Sequence, residues 1–365
     1  MVYKIYLQAE QKTYITAGIQ SITTILNTVL CVILINFGTS IQIVKLVSSF
    51  VFVLRPVMQN LYVRKKYNIN LKNEKEEYEL KQKWDGLAQH IAAVIHGNTD
   101  ITILTIFSNT AEVSVYTVYL FVVNGVKNLI QSLTGGIDAS FGDMYARKEF
   151  DNLNKGFKNY EFFYYSIITI IFTSTLCLII PFVKVYTKEI TDVDYIRPLF
   201  GYLIVLAEYM WAIRLPYNSL VLAVGHFKET RKGAWFEAIS NIIISLILVK
   251  KLGIVGVAIG TLFAMTVRTI EFMSHSAKYI LRRKMVYAFI HLAITIIETI
   301  IIFILSNLII KNVIFTNYFT WGKYAIMITI ISTIITLIIN CIIYKKQAKE
   351  TIELIKRNFL RKGTV

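Results

Sequence analysis

The chain of 365 residues is 55% hydrophobic and only 17% charged, with a mean hydropathy of +0.55, a balance that excludes an ordinary soluble domain. Its formal net charge of +16 would suit a nucleic-acid binder. The basic residues, however, fall in the short segments between apolar runs, and in alternate ones, which is the mark of oriented membrane helices and argues against that partner.

Ten apolar runs, at 13–37, 41–63, 84–107, 111–135 and 159–183, then 197–224, 233–249, 253–277, 286–310 and 319–344, approach or exceed the length that spans a bilayer as a helix. They are not clean, because lysine, arginine, histidine and acids sit inside them. Each such charge opposes insertion by roughly 3 kcal/mol, so a span that keeps one is expected to turn it toward a water-filled interior. The expected fold class is therefore all-α: a polytopic helical membrane protein of about ten transmembrane helices around a polar cavity, with transport as its simplest role. Cys31, Cys177 and Cys341 lie within the runs without metal-ligand spacing and read as free thiols. Residues 1–13 are mixed and polar, unlike a cleavable signal peptide. No cofactor or metal is expected.

Loop charge sets the orientation. Arg64–Lys66, Arg147 and Lys148, Arg231 and Lys232, and Arg282–Lys284 lie on one side with the basic tail, whereas the opposite loops offer few cations, such as Lys184 and Lys311. This asymmetry predicts both termini in the cytoplasm of a multi-pass plasma-membrane protein. The segment 70–83 pairs Glu77 with Lys81 and Glu79 with Lys83 at helical spacing and reads as a solvated connecting helix. The tail sets Ile352, Ile355 and Phe359 on one face among lysines and arginines. Such a helix would lie on anionic membrane lipids, and a disordered basic tail is the other reading.

Residues 3–58 can be laid on 217–273 with one gap, pairing Asn27 with Asn241 and Gly38 with Gly253. The copies are six predicted helices apart, so they begin on the same membrane side and read as a parallel repeat. The expected organisation is 1–66, the last two helices of an N-terminal lobe; 67–83, a cytoplasmic linker; 84–285, a six-helix C-terminal lobe; 286–344, two extra helices; and 345–365, a basic tail.

Three stretches carry a resemblance: WDGLAQHIAAVIHGNTDITILTIF with its Thr99–Asp100 pair, SFGDMYARKEFDNLNKGF after the next span, and Asn241 followed by GIVGVAIGTLFA. On these the chain resembles the polysaccharide transporter (Wzx-like lipid-linked oligosaccharide flippase) family of the multidrug/oligosaccharidyl-lipid/polysaccharide exporter superfamily. The resemblance implies a MATE-like two-lobe architecture. This sequence would lack the first four helices and so have an incomplete N-terminal lobe. It also implies an undecaprenyl-pyrophosphate-linked oligosaccharide as substrate, flipped by alternating access for surface polysaccharide synthesis, and contact with polysaccharide assembly proteins.

Within the spans, Gln89, Ala93, His96 and Asp100 share one helix face. On the next helix Tyr116, Asn124, Lys127, Gln131, Thr134 and Asp138 form a stripe. It faces substrate or solvent, or Asp100 and Lys127 neutralise each other between helices. Thr261, Arg268, Glu271 and His275 share a third face, where an Arg268–Glu271 pair is the plainer reading. Arg55 beside Pro56 and Arg214 beside Pro216 mark places where proline frees carbonyls for a cavity or sets a static kink. His291, Thr295 and Glu298 share a face in one of the two extra helices and read as packing groups, with a transport role as the other reading. The candidate substrate-binding residues are Arg55, Asp100, Lys127, Gln131, Arg214 and Arg268, an electropositive set suited to a pyrophosphate head. Asp100 and Glu208 are the coupling candidates.

Enzyme readings have no HExxH, Walker loop or nucleophile elbow behind them. The competing readings are a cation-coupled multidrug antiporter, whose cavity would be acidic, and a truncated membrane scaffold that transports nothing.

Overall fold

The computed structural model describes residues 2–10, 12–67, 82–134 and 137–350, and these are helical with short connections and no strand. The helices are α1 (Val2–Ala9), α2 (Thr13–Asn36), α3 (Ile41–Lys66), α4 (Lys83–Phe107), α5 (Thr110–Thr134) and α6 (Ile137–Ala146). They continue as α7 (Phe150–Tyr186), α8 (Pro198–Ala223), α9 (Phe227–Leu252), α10 (Ile254–His275), α11 (Val286–Ile310) and α12 (Tyr318–Ile343). A π-helical turn, Ser276–Ile280, follows α10. Among the described residues, nine helices are long and apolar enough to cross a membrane. The tenth expected span is helical as α4, but with Asp85, Gln89, His90, His96 and Asp100 along it α4 is not among those nine. It packs chiefly on α9. The Glu77–Lys81 pair, most of the linker and the apolar face of the tail lie outside the described residues, as do the side chains of Thr134 and Asp138.

The chain forms two compact units, Met1–Leu80 with Gly135–Ala139, and Lys81–Thr134 with Ser140–Val365. In the first, α2 and α3 make a hairpin. The hydroxyls inside α2 turn back on the helix, as when Thr23 Oγ1 donates to the Ile19 carbonyl at 2.9 Å, which lets them lie among apolar neighbours. Gly38 ends α2 with φ +69, a conformation that favours glycine. Gly253, its partner in the sequence overlay, joins α9 to α10 with φ +54. Both turns therefore place a glycine at positive φ.

In the second unit α7 is the central element, with Phe157, Ile168 and Phe172 fully buried. It begins at Phe150, nine residues before the expected start of its span, and runs for 37 residues. Its Phe172 stacks on Tyr209 of α8, ring centroids 5.0 Å apart. Pro216 of α8 has no N–H, which leaves the carbonyl of Ala212 without its helical donor. Tyr164 OH of α7 donates to that carbonyl at 3.0 Å, and Tyr165 OH to the carbonyl of Ile213 at 3.3 Å. Helix α7 thus takes the carbonyls that a cavity would otherwise use.

Helices α9 and α10 approach closely because Gly256 and Gly260 face α9, and a Cβ on Gly256 would lie 2.6 Å from the Leu248 carbonyl oxygen. Helices α11 and α12 pack on α7 through hydroxyl and amide contacts, including Ser174 to Ser332 at 3.2 Å and Asn340 to Ser166 at 3.0 Å. Thr295 and Glu298 are buried in this packing, and His291 stacks on Tyr344 at 4.4 Å.

Candidate functional site

Inside the second unit, α4, α5, α8, α9 and α10 enclose a cavity of about 260 Å³. Helical periodicity delivers its lining. Ala93, His96 and Asp100 project from α4, and Tyr116, Asn124 and Lys127 from α5. Glu208, Trp211 and Arg214 come from α8, Glu237 from α9 and Thr261 from α10. Three carboxylates and two fixed cations thus meet in the interior of apolar spans.

Asp100 is 5% exposed and accepts only from neutral donors. Tyr116 OH reaches it at 2.9 Å, Thr261 Oγ1 at 2.6 Å and Asn241 Nδ2 at 3.4 Å. This one side chain ties α4 to α5, α9 and α10. The Oδ1 of Asn241 is buried without a partner, and the Val257 carbonyl accepts from Thr261 at 3.1 Å. Asn241 turns its Nδ2 to both Asp100 and Thr261, so the carboxylate sits in a shell of neutral hydrogen-bond donors. Among the described residues, no three His, Cys, Asp or Glu side chains converge as a metal centre.

The second feature is a pair of ion pairs. Lys127 Nζ lies 2.7 Å from Glu208 Oε2 and 4.7 Å from the centre of the Trp211 ring. Arg214 Nη1 lies 2.6 Å from Glu237 Oε1, with His96 Nε2 at 3.8 Å from the same oxygen. Glu237 also faces Arg268 Nε at 3.5 Å, and Arg268 in turn holds Glu271 at 2.6 Å and the Thr230 carbonyl at 2.8 Å. Arg268 is 4% exposed and stands behind Glu237, outside the cavity lining. Buried pairs of this kind are held by mutual need, because removing one member strands the other's charge.

The structure therefore brings together Asp100, Lys127, Glu208 and Arg214. Gln131 lies one turn beyond Lys127 at an exposed position. Arg55 belongs to the first unit, where it donates to Thr23 Oγ1 at 2.8 Å and Thr24 Oγ1 at 2.9 Å and covers the Phe52 ring at 4.3 Å. The expected electropositive surface is corrected on one point: Lys127, Arg214 and Arg268 each face a carboxylate, because a bare cation at that depth costs more than a paired one. Lys127 takes Glu208, and Asp100 keeps neutral donors, so these two do not neutralise each other. Glu237, Asn241, Thr261, His96 and Trp211 are site residues beyond the expected set. His96 and Thr261 already shared faces with Asp100 and Arg268, and a signal for Glu237 and Asn241 was available as well, since Thr230, Ala234, Glu237, Asn241 and Ser245 share one face of α9.

Fold and cavity together define a multi-pass helical membrane protein with a charged interior. No protein-family model and no curated protein matches the chain. Among solved structures it is similar to the lipid II flippase MurJ in an inward closed conformation. The TM-score is 0.60 at 18% identity, over 93% of this chain and 69% of that one. A likeness at that identity speaks to the fold.

Proposed function

We propose that this chain is a flippase that moves a lipid-linked oligosaccharide, carried on undecaprenyl pyrophosphate, across the cytoplasmic membrane for surface polysaccharide synthesis. The observation that carries this reading is the charged cavity, lying in a fold similar to that of a lipid II flippase. A polar anionic head cannot cross hydrocarbon unaided, whereas Lys127 and Arg214 can bind phosphate. The head competes with Glu208 and Glu237 for these two cations, and a proton or small cation at Asp100 offsets the charge as access alternates. Trp211 and Tyr116 offer aromatic faces to sugar rings.

Purified protein in vesicles, given a fluorescent undecaprenyl-pyrophosphate oligosaccharide, is expected to expose the sugar on the opposite leaflet. The rate should depend on a proton or sodium gradient in the native protein and lose that dependence in Asp100→Asn. A specific observation favours a second reading, a cation-coupled multidrug antiporter: carboxylates outnumber fixed cations in the cavity. Efflux of a cationic dye with no movement of the glycolipid would establish the antiporter and overturn the flippase.

The orientation belongs to the same proposal: both termini are cytoplasmic, as the alternating basic loops require. A cysteine placed at Thr191, in the connection between α7 and α8, should react with an impermeant label added outside cells. One placed at Asn152 should not. The opposite pattern would invert the topology.

A further inference from the structure

A second polar cavity lies at the opposite pole of α7 from its Tyr186 end. It measures about 370 Å³ and is lined by Asp151, Asn154, Lys155, Lys158 and Asn159 of α7, and by Lys346, Gln347 and Glu350 beyond α12. It shares no lining residue with the cavity around Asp100.

Three ammonium groups converge here from two elements. Among the described residues, no carboxylate comes within ion-pair distance of Lys155, Lys158 or Lys346. Of the two acids present, Glu350 accepts from Asn159 Nδ2 at 3.0 Å. Lys158 lies over the Tyr287 ring at 5.4 Å, and Asn154 is fixed by donating to the Leu281 carbonyl at 2.7 Å.

Depth identifies the ligand. The continuous apolar stretch of α7 begins at Phe162 and that of α12 ends at Ile343. Lys158 is therefore only about 6 Å beyond the apolar boundary at 1.5 Å per residue, which is headgroup level, and Lys155 lies about one turn further out, where its long side chain can reach back. Tyr287, under Lys158, and Phe163, one turn past Asn159, are each 51% exposed, and Ile343, one turn before Lys346, is 48% exposed. Cations at headgroup depth, with bare apolar side chains next to them, match the two halves of a membrane lipid. A soluble anion would have no use for the apolar half.

We propose that this cavity is a headgroup site for an anionic phospholipid, its phosphate held by Lys155, Lys158 and Lys346 and its chains lying along Phe163 and Ile343. The proposal rests on the membrane-spanning fold and not on the flippase reading, and its test involves no transport. The bound lipid bridges the start of α7 to the segment that follows α12, which are joined there by the Asn159–Glu350 contact.

The test uses the whole chain in mild detergent, with phosphatidylglycerol and phosphatidylcholine in competition and native mass spectrometry to count retained lipid. The native protein should retain phosphatidylglycerol preferentially. The variant Lys155→Gln/Lys158→Gln/Lys346→Gln should lose roughly 100-fold of that preference, the scale set by three lysines at an anionic headgroup. The matching triple arginine variant should keep it. Unchanged preference in the glutamine variant, or equal retention of the two lipids by the native protein, would overturn the site. So would displacement of the lipid by millimolar inorganic phosphate, which would assign the lysines to a soluble anion.

Discussion

Lys127→Gln is expected to slow glycolipid flipping by about 100-fold or more, the loss that follows when one member of a desolvated charge pair is removed. The ammonium stands 2.7 Å from Glu208 and 4.7 Å from the Trp211 ring centre, so two roles compete for it. If it serves only to neutralise Glu208, then Lys127→Gln/Glu208→Gln removes both charges and should recover transport. If it binds the phosphate head, the double variant stays impaired, because nothing replaces the lost cation. We expect the second result. Folding is monitored in parallel by the thermal unfolding midpoint, since a stranded Glu208 could also destabilise the protein. Recovery in the double variant would reassign Lys127 to packing and remove it from the substrate site.

The largest effect on stability is expected at a further buried pair, Glu161 with Arg283, away from the cavity. The π-helical turn after α10 and the positive φ of Arg282 (49°) carry Arg283 back onto α7. There its guanidinium holds both oxygens of Glu161, one of them at 2.7 Å, and Tyr217 OH donates to the same carboxylate at 2.6 Å. Glu161 is fully buried. Glu161→Leu strands the guanidinium and should cost about 3–5 kcal/mol, enough to unfold a marginal protein. Glu161→Leu/Arg283→Met removes both charges and should regain most of that loss, as apolar replacements of buried pairs do. Unfolding midpoints of the purified variants decide the matter, and a single variant as stable as the native protein would show that the pair contributes little.

Much of the fold was legible because membrane helices announce themselves by length and apolar content. Where the sequence reading ran short, local polarity was the cause. The first residues of α7 are too polar to look like a span although they continue its helix. Periodicity placed Asp100 and Lys127 on faces that do line one cavity. It could not say that Lys127 would choose Glu208, since the choice depends on which helices become neighbours, and α5 meets α8 across a long stretch of chain. Glu237 escaped notice because it stands among the apolar residues of AWFEAIS, and its role emerges only when Arg214 and Arg268 arrive from two other helices.

Helix α7 has a mechanical consequence. At 1.5 Å per residue its 37 residues make a rod about 55 Å long, well beyond the roughly 30 Å of hydrocarbon it crosses. Such a rod is a lever. Pivoting about its middle by 10°, it would swing each tip sideways by about 5 Å, close to one helical turn. Its grip on the Ala212 and Ile213 carbonyls makes the middle of α8 travel with it, and α8 carries Glu208, Trp211 and Arg214. A small tilt of one long helix would thus be felt both at the lysine-lined tip and at the charges of the cavity.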